Sequence, residues 1–198
     1  MTKPGPALTA SILLAGSGLA LLGGQAYLKA KAGLAAVLID RAWEAQLTDG
    51  RAHRPWPWAD MHPVARLEVP RIGLRRAVLS GASGPSLAFG LAHVSGSALP
   101  GEPGNVVLAG HRDTWAAFMR DLLPGDEVRL RTRSGLRRYA VRSLAILPRE
   151  RTDVLDPAGE DRLTLVTCYP FGGLLRSPWR LVVVCGASAL GERPRAAP

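Results

Sequence analysis

The most regular pattern of hydrophobic and polar positions lies past the middle of the chain. Val128, Leu130 and Thr132 alternate with Glu127, Arg129, Arg131 and Arg133. A period of two is that of a half-buried strand. Ser134-Gly135 turns the chain, and residues 136–147 return with a similar alternation, which predicts a hairpin. A second hairpin is predicted nearer the C-terminus. The run Leu163-Thr-Leu-Val-Thr-Cys168 and the run Arg180-Leu-Val-Val-Val184 are separated by a turn-prone stretch with Pro170, Gly172, Gly173 and Pro178. Asn105-Val-Val-Leu-Ala109 reads as a compact buried strand ending at Gly110-His111. Residues 65–69 and 72–79 read as further strands, 81–104 as a long Gly/Ser/Pro loop and 149–160 as a polar loop. Residues 114–121 read as a short helix capped by Asp113 or Thr114. Many short strands and few helices predict an all-β domain over residues 64–187, a closed barrel or a sandwich. The Pro/Arg/Ala tail, 188–198, is expected to be disordered.

The N-terminal third has a different texture. Residues 7–28 carry no charge. At about 1.5 Å per helical residue, such a run reaches across a hydrocarbon core of about 30 Å. Residues 1–32 are therefore expected to form a signal-anchor, with Lys3 placing the N-terminus in the cytoplasm. A cleaved signal peptide is the competing reading, because Ala30-Lys-Ala32 is similar to a processing site. Both readings export the remainder. Residues 33–47 have helical spacing at Leu34, Val37, Leu38, Ala42 and Ala45. Pro55, Pro57 and Pro63 then exclude regular helix, so residues 33–63 are expected to be a helix followed by a Pro/Trp linker.

Charge narrows the classes of partner. Lys+Arg outnumber Asp+Glu by 25 to 16, a formal net charge of +9. The excess is arginine scattered along strand-like stretches, with no basic block interleaved with aromatics, so no nucleic-acid partner is expected. The two cysteines are too few for a disulfide scaffold, and no Cys/His spacing suits zinc. No metal or other cofactor is expected.

Chemistry concentrates at strand ends. Cys168 stands where one predicted strand stops, Arg180 where its partner starts, and His111 just beyond another. On one rim they would supply a nucleophile, a cation and a general acid/base. Taken singly, each has a plainer reading: a buried core thiol, a loop histidine, a surface arginine. Cys185 lies five residues along the strand from Arg180, about 16 Å away at 3.3 Å per residue and on the opposite face. A disulfide needs Cα atoms within about 7 Å, so Cys185 is expected to be structural.

Thr164-Leu-Val-Thr-Cys168 with Arg180 opening the next strand resembles the signature of the sortases. Cys168-Tyr-Pro-Phe171, Pro178-Trp-Arg180 and the stretch from His93 through Asn105-Val-Val-Leu-Ala-Gly-His111-Arg-Asp-Thr are similar to the class D branch. The Pro-Trp-Pro-Trp linker and N-terminal run resemble the Gram-negative, proteobacterial type. The resemblance covers about residues 65–186. It implies an eight-stranded barrel and assigns Cys168 as nucleophile, His111 as acid/base and Arg180 as oxyanion stabiliser. It marks Thr167 as a site-wall residue and His93 as a substrate-side residue, with a loop-structuring role as the other reading of His93. It implies an LPXTG-like sorting-signal protein as substrate, an amine acceptor or water, and a catalytic domain on the outer side of the cell inner membrane. Two alternatives stand beside it. One is another exported cysteine acyl-transferase, such as a peptidoglycan L,D-transpeptidase. The other is a non-enzymatic membrane-tethered β-domain.

Overall fold

A computed structural model describes residues 5–157, 160–173, 175 and 177–188, with side chains 6–10, 12 and 13 outside the description. The expected disordered tail therefore lies almost entirely outside the described residues. The chain divides into two compact units, residues 1–38 and 39–198.

The alternating segments fold into a closed barrel in the order β1-β2-β3-β4-β7-β8-β6-β5. Its strands are β1 (Pro63–Val69), β2 (Leu74–Leu79), β3 (Leu91–His93), β4 (Asn105–Gly110), β5 (Glu127–Thr132), β6 (Gly135–Pro148), β7 (Arg162–Tyr169) and β8 (Trp179–Ala187). The sequence reading locates seven of these strands to within a few residues. It leaves β3 inside a loop, together with a six-residue helix, Gly84–Phe89, started by Ser83, whose hydroxyl accepts from the Ser86 N–H. The expected helix at 114–121 is a shorter 3-10 turn, Ala117–Asp121.

One core fills the barrel. Leu67, Val106, Leu108, Leu130, Leu163, Leu165, Val183 and Cys185 meet there and are essentially inaccessible. In β4, β7 and β8 these core residues occupy every second position. The intervening residues point outward, because side chains along a strand alternate between faces. That parity decides which side chains reach the site. The outward side of β4 and β7 is covered in part by the β6–β7 connection. Asn105 is fully buried there, donating through Nδ2 to the carbonyls of Val154 (3.0 Å) and Asp156 (2.9 Å) and accepting from Thr164 Oγ1 (2.7 Å).

The N-terminal helix, α1 (Pro6–Asp49), is one unbroken element, where the sequence reading divides it in two. Lys29, Lys31 and Gly33 contain no stop strong enough to break a helix of good formers. Among the described residues no helix is long and apolar enough to cross a membrane. The expected span over residues 7–28 lies partly on side chains outside the description.

Within the second unit, the last turns of α1 present Ile39, Ala42, Trp43 and Gln46 inward, all buried. These are i, i+3, i+4 and i+7, one helical stripe. Beside the stripe, Asp40 and Glu44 pair with Arg66 of β1 at 2.6 and 3.3 Å, and the Arg66 guanidinium lies 5.7 Å from the centre of the Trp43 ring. The Pro/Trp segment is packed rather than free. Ala59 and Met61 are buried with Ile39 and Leu79, and Trp56 meets Phe89 edge-on at 5.2 Å. Trp58 stays outside, 82% exposed.

Candidate active site

The site begins with strand register. β4 and β7 run parallel, and their ladder ends at Gly110↔Thr167. β7 and β8 run antiparallel, with Cys168 directly opposite Arg180. His111 follows Gly110, so it continues the row His111–Cys168–Arg180 across three neighbouring strands, spaced about 4.8 Å apart. Parity adds the second condition. Gly110, Thr167 and Leu181 lie in register with the core positions, so all three members of the row face outward. The sequence-predicted trio is thus brought onto one end and one face of the sheet.

The strand end carrying His111 is held tightly. Thr167 is buried, and its hydroxyl donates to the Gly110 carbonyl at 2.7 Å. It faces inward, beneath the row. Gly110 is closely packed: a Cβ there would stand 2.7 Å from Leu91 Cδ2 and 3.0 Å from Ala116 Cβ, so a larger residue requires its neighbours to shift. The His111 carbonyl accepts from the N–H groups of Thr114 (3.2 Å) and Ala116 (3.0 Å), which turns the chain sharply back over the barrel. The His111 side chain is left exposed.

Arg180 is half-buried and donates through Nη1 to the carbonyls of Ser177 (3.1 Å) and Trp179 (2.9 Å). A guanidinium carries further donors on Nε and Nη2. Cys168 is a free, half-buried thiol outside the core, which disfavours the buried-thiol reading. Cys185 is also free, but it is paired with Leu163 deep in the barrel, and burial pushes its thiol up to about 12. Below the row, Ala109 and Val166 are paired and partly exposed on the same outward face, with Val182 next to Val166 on β8. They make an apolar floor leading to Cys168.

His93 is not part of the row. It is buried, and its Nε2 lies 2.9 Å from the Ala98 carbonyl and 3.0 Å from Ser97 Oγ, within the connection between β3 and β4. This geometry is the loop-structuring one. Asp113, a candidate helix cap in the sequence, instead joins the turn after His111 to the loop after Cys168. Its carboxylate does not serve the His111 ring; it accepts from the Gly172 N–H at 2.7 Å and from Arg112 Nε at 2.9 Å. The Gly172 N–H, and then Arg112, hold that carboxyl below its ordinary value of 3.8. Among the described residues no cluster of His, Cys, Asp and Glu has a metal-binding arrangement.

A thiol, an imidazole and a guanidinium thus share one row at one end of the sheet of a closed β-barrel, an arrangement suited to nucleophilic chemistry. A family model described as a Sortase domain matches residues 67–188, and the chain belongs to the sortase family. It is 32% identical over 118 residues to Sortase D of Bacillus subtilis (strain 168), covering 59% of this chain and 60% of that protein. It is 28% identical over 109 residues to Sortase A of Bacillus anthracis, covering 53% and 51%. The chain thus spans between half and three-fifths of these curated relatives. Among solved structures, Sortase A from Corynebacterium diphtheriae superimposes with a TM-score of 0.61 at 27% identity, over 70% of this chain and 66% of that one. A Clostridium perfringens Sortase D5 transpeptidase superimposes with a TM-score of 0.64 at 22% identity, over 79% and 99%, a likeness of fold.

Proposed function

We propose that the protein is a class D-like sortase, a cysteine transpeptidase that cleaves an LPXTG-like sorting signal and joins the released acyl end to an amine. The observation that carries this reading is the row itself: Cys168 opposite Arg180, with His111 one step past the Gly110–Thr167 pair. The Cys168 thiolate attacks the threonine carbonyl carbon of the signal. Arg180 and a backbone N–H take the charge that develops on the carbonyl oxygen. As the C–N bond breaks, His111 gives its proton to the leaving amine, and Cys168 holds a thioester. An incoming amine then attacks that thioester, returns a proton to His111 and releases the thiolate. Water in place of the amine gives hydrolysis. Thr167 and His93 serve from behind, one fixing the strand end and the other the neighbouring loop.

The test is direct. The full chain is incubated with LPXTG-like peptides and its intact mass is recorded. The expected species is heavier by the acyl portion ending at threonine, maps to Cys168 and is discharged by hydroxylamine. Neither adduct nor cleavage across a panel of such peptides would remove the assignment.

The setting of the enzyme belongs to the same proposal. The barrel works on the outer side of the inner membrane of a Gram-negative cell, tethered by the N-terminal part of α1 with its start in the cytoplasm. Support comes from the uncharged run 7–28, the lysine before it and the exposed Leu14, Leu19, Leu21 and Leu22. Alkaline carbonate treatment of cells making the full chain should leave it in the membrane pellet. Its release into the supernatant would rule out the tether.

A further inference from the structure

The β4–β7 ladder stops at Gly110↔Thr167, one residue short of both His111 and Cys168. Beyond that point backbone pairing no longer sets how far apart the two chains run, yet the chemistry needs the imidazole and thiol at a fixed separation. Side chains from the His111 segment take over. Asp113 accepts the Gly172 N–H at 2.7 Å with Oδ1 and Arg112 Nε at 2.9 Å with Oδ2. The Arg112 side chain, only 14% exposed, brings its guanidinium against Gly173: a Cβ there would stand 3.1 Å from Nη1 and 3.2 Å from Nη2. Gly172 itself has φ of +67°, a conformation glycine adopts without strain. From the next turn, Arg120 places its guanidinium 5.2 Å from the centre of the Phe171 ring, and Phe171 meets Tyr169 edge-on at 6.3 Å. Three side chains that follow His111 therefore grip the residues that follow Cys168.

We infer that Asp113, braced by Arg112, is a positioning residue: it clasps the loop after Cys168 to the turn after His111 and so sets the imidazole–thiol spacing. Asp113 is suited to this because one carboxylate accepts from both partners at once, and hydrogen bonds to an ionised acceptor are the stronger kind. The bond to Gly172 joins residues 59 apart in sequence, so the clasp closes only when the barrel has formed. The first place its loss would register is proton delivery to the leaving amine, a step that tolerates little misplacement. Arg180, the cation directly opposite Cys168, lies outside the clasp, so the reactivity of Cys168 toward a small reagent is expected to hold. The kinetic side of the inference rests on the transpeptidase reading; the structural side does not.

The experiment compares the full-length protein with Asp113→Asn and Asp113→Ala. Asparagine keeps an oxygen for the Gly172 N–H and gives up the ionic bond to Arg112; alanine gives up both. The expected order of kcat on a cleaved peptide is wild type, then Asp113→Asn, then Asp113→Ala, with the alanine variant about 10-fold or more below wild type. KM should move less than about twofold, and the alkylation rate of Cys168 by iodoacetamide should stay at the wild-type value. Wild-type kcat in Asp113→Ala overturns the inference. So does a parallel fall in alkylation rate, which would mean that the thiol itself had been displaced. Hydrogen exchange at the Gly172 amide supplies the second arm: about 10-fold or faster exchange in Asp113→Ala is expected, because a local bond has been opened. Unchanged exchange overturns the clasp. If the wild type turns over no peptide, the transpeptidase reading falls while the exchange arm still decides the clasp.

Discussion

Replacing Cys168 by alanine reduces peptide cleavage to the uncatalysed background, a fall on the order of 10⁴-fold or more, whereas replacing Cys185 by alanine leaves most of the turnover in place. The two thiols are on neighbouring strands and differ by parity. Cys168 faces outward, half-buried, opposite Arg180. Cys185 faces the core, inaccessible, its thiol pushed up to about 12 by burial. At neutral pH the buried thiol has almost no thiolate, and the thiolate is the reactive form. Iodoacetamide on the native protein should therefore label Cys168 first and reach Cys185 only after unfolding. Cys185→Ala should lose stability instead, since it leaves a small gap among Leu163 and its neighbours. Cleavage surviving in Cys168→Ala, or Cys185 labelled ahead of Cys168 in the folded protein, would contradict the site.

The largest effect on stability is expected from Trp43→Ala. The ring is 1% exposed, sits in the buried stripe of α1 with Ile39 and Gln46, and is covered by the Arg66 guanidinium. Removing a fully buried tryptophan costs about 3–5 kcal/mol, part lost transfer energy and part unfilled cavity. For a domain of this size the unfolding midpoint should drop by roughly 10 °C. Trp58→Ala is the internal control, because Trp58 is 82% exposed. Its effect should stay within about 0.5 kcal/mol. Equal midpoints for the two variants would show that the end of α1 adds nothing to the barrel.

Much of this architecture is legible in the residues. Strands announced by alternation or by compact β-branched runs, such as 127–132 and 162–169, are found where expected, because local pattern and tertiary fate agree. The trio is legible for the same reason: a strand end is visible in sequence, and three strand ends suggest a rim. β3 is not legible. It has three residues, Leu91–His93, and exists because β2 and β4 pair with it on either side. The continuity of α1 is missed because Lys29 and Lys31 look like a boundary while being good helix formers. Asp113 is read from sequence only as a helix cap because its partner, Gly172, has no side chain to suggest a contact; only the folded barrel brings that N–H to the carboxylate.

The closure of the barrel through the β1–β5 pair decides how an extended peptide can be read. An open sheet offers its last strand to an incoming chain, which then binds mainly through backbone hydrogen bonds, a mode tolerant of side-chain identity. This sheet has no last strand. An extended peptide bound here is therefore not read through an open terminal strand, and on the proposed reading that peptide is the sorting signal. On that reading, recognition falls on the partly exposed side chains of Ala109 and Val166 and on the loops around them. Discrimination among peptides would then be tunable by loop substitution, with the hydrogen bonds of the sheet left in place.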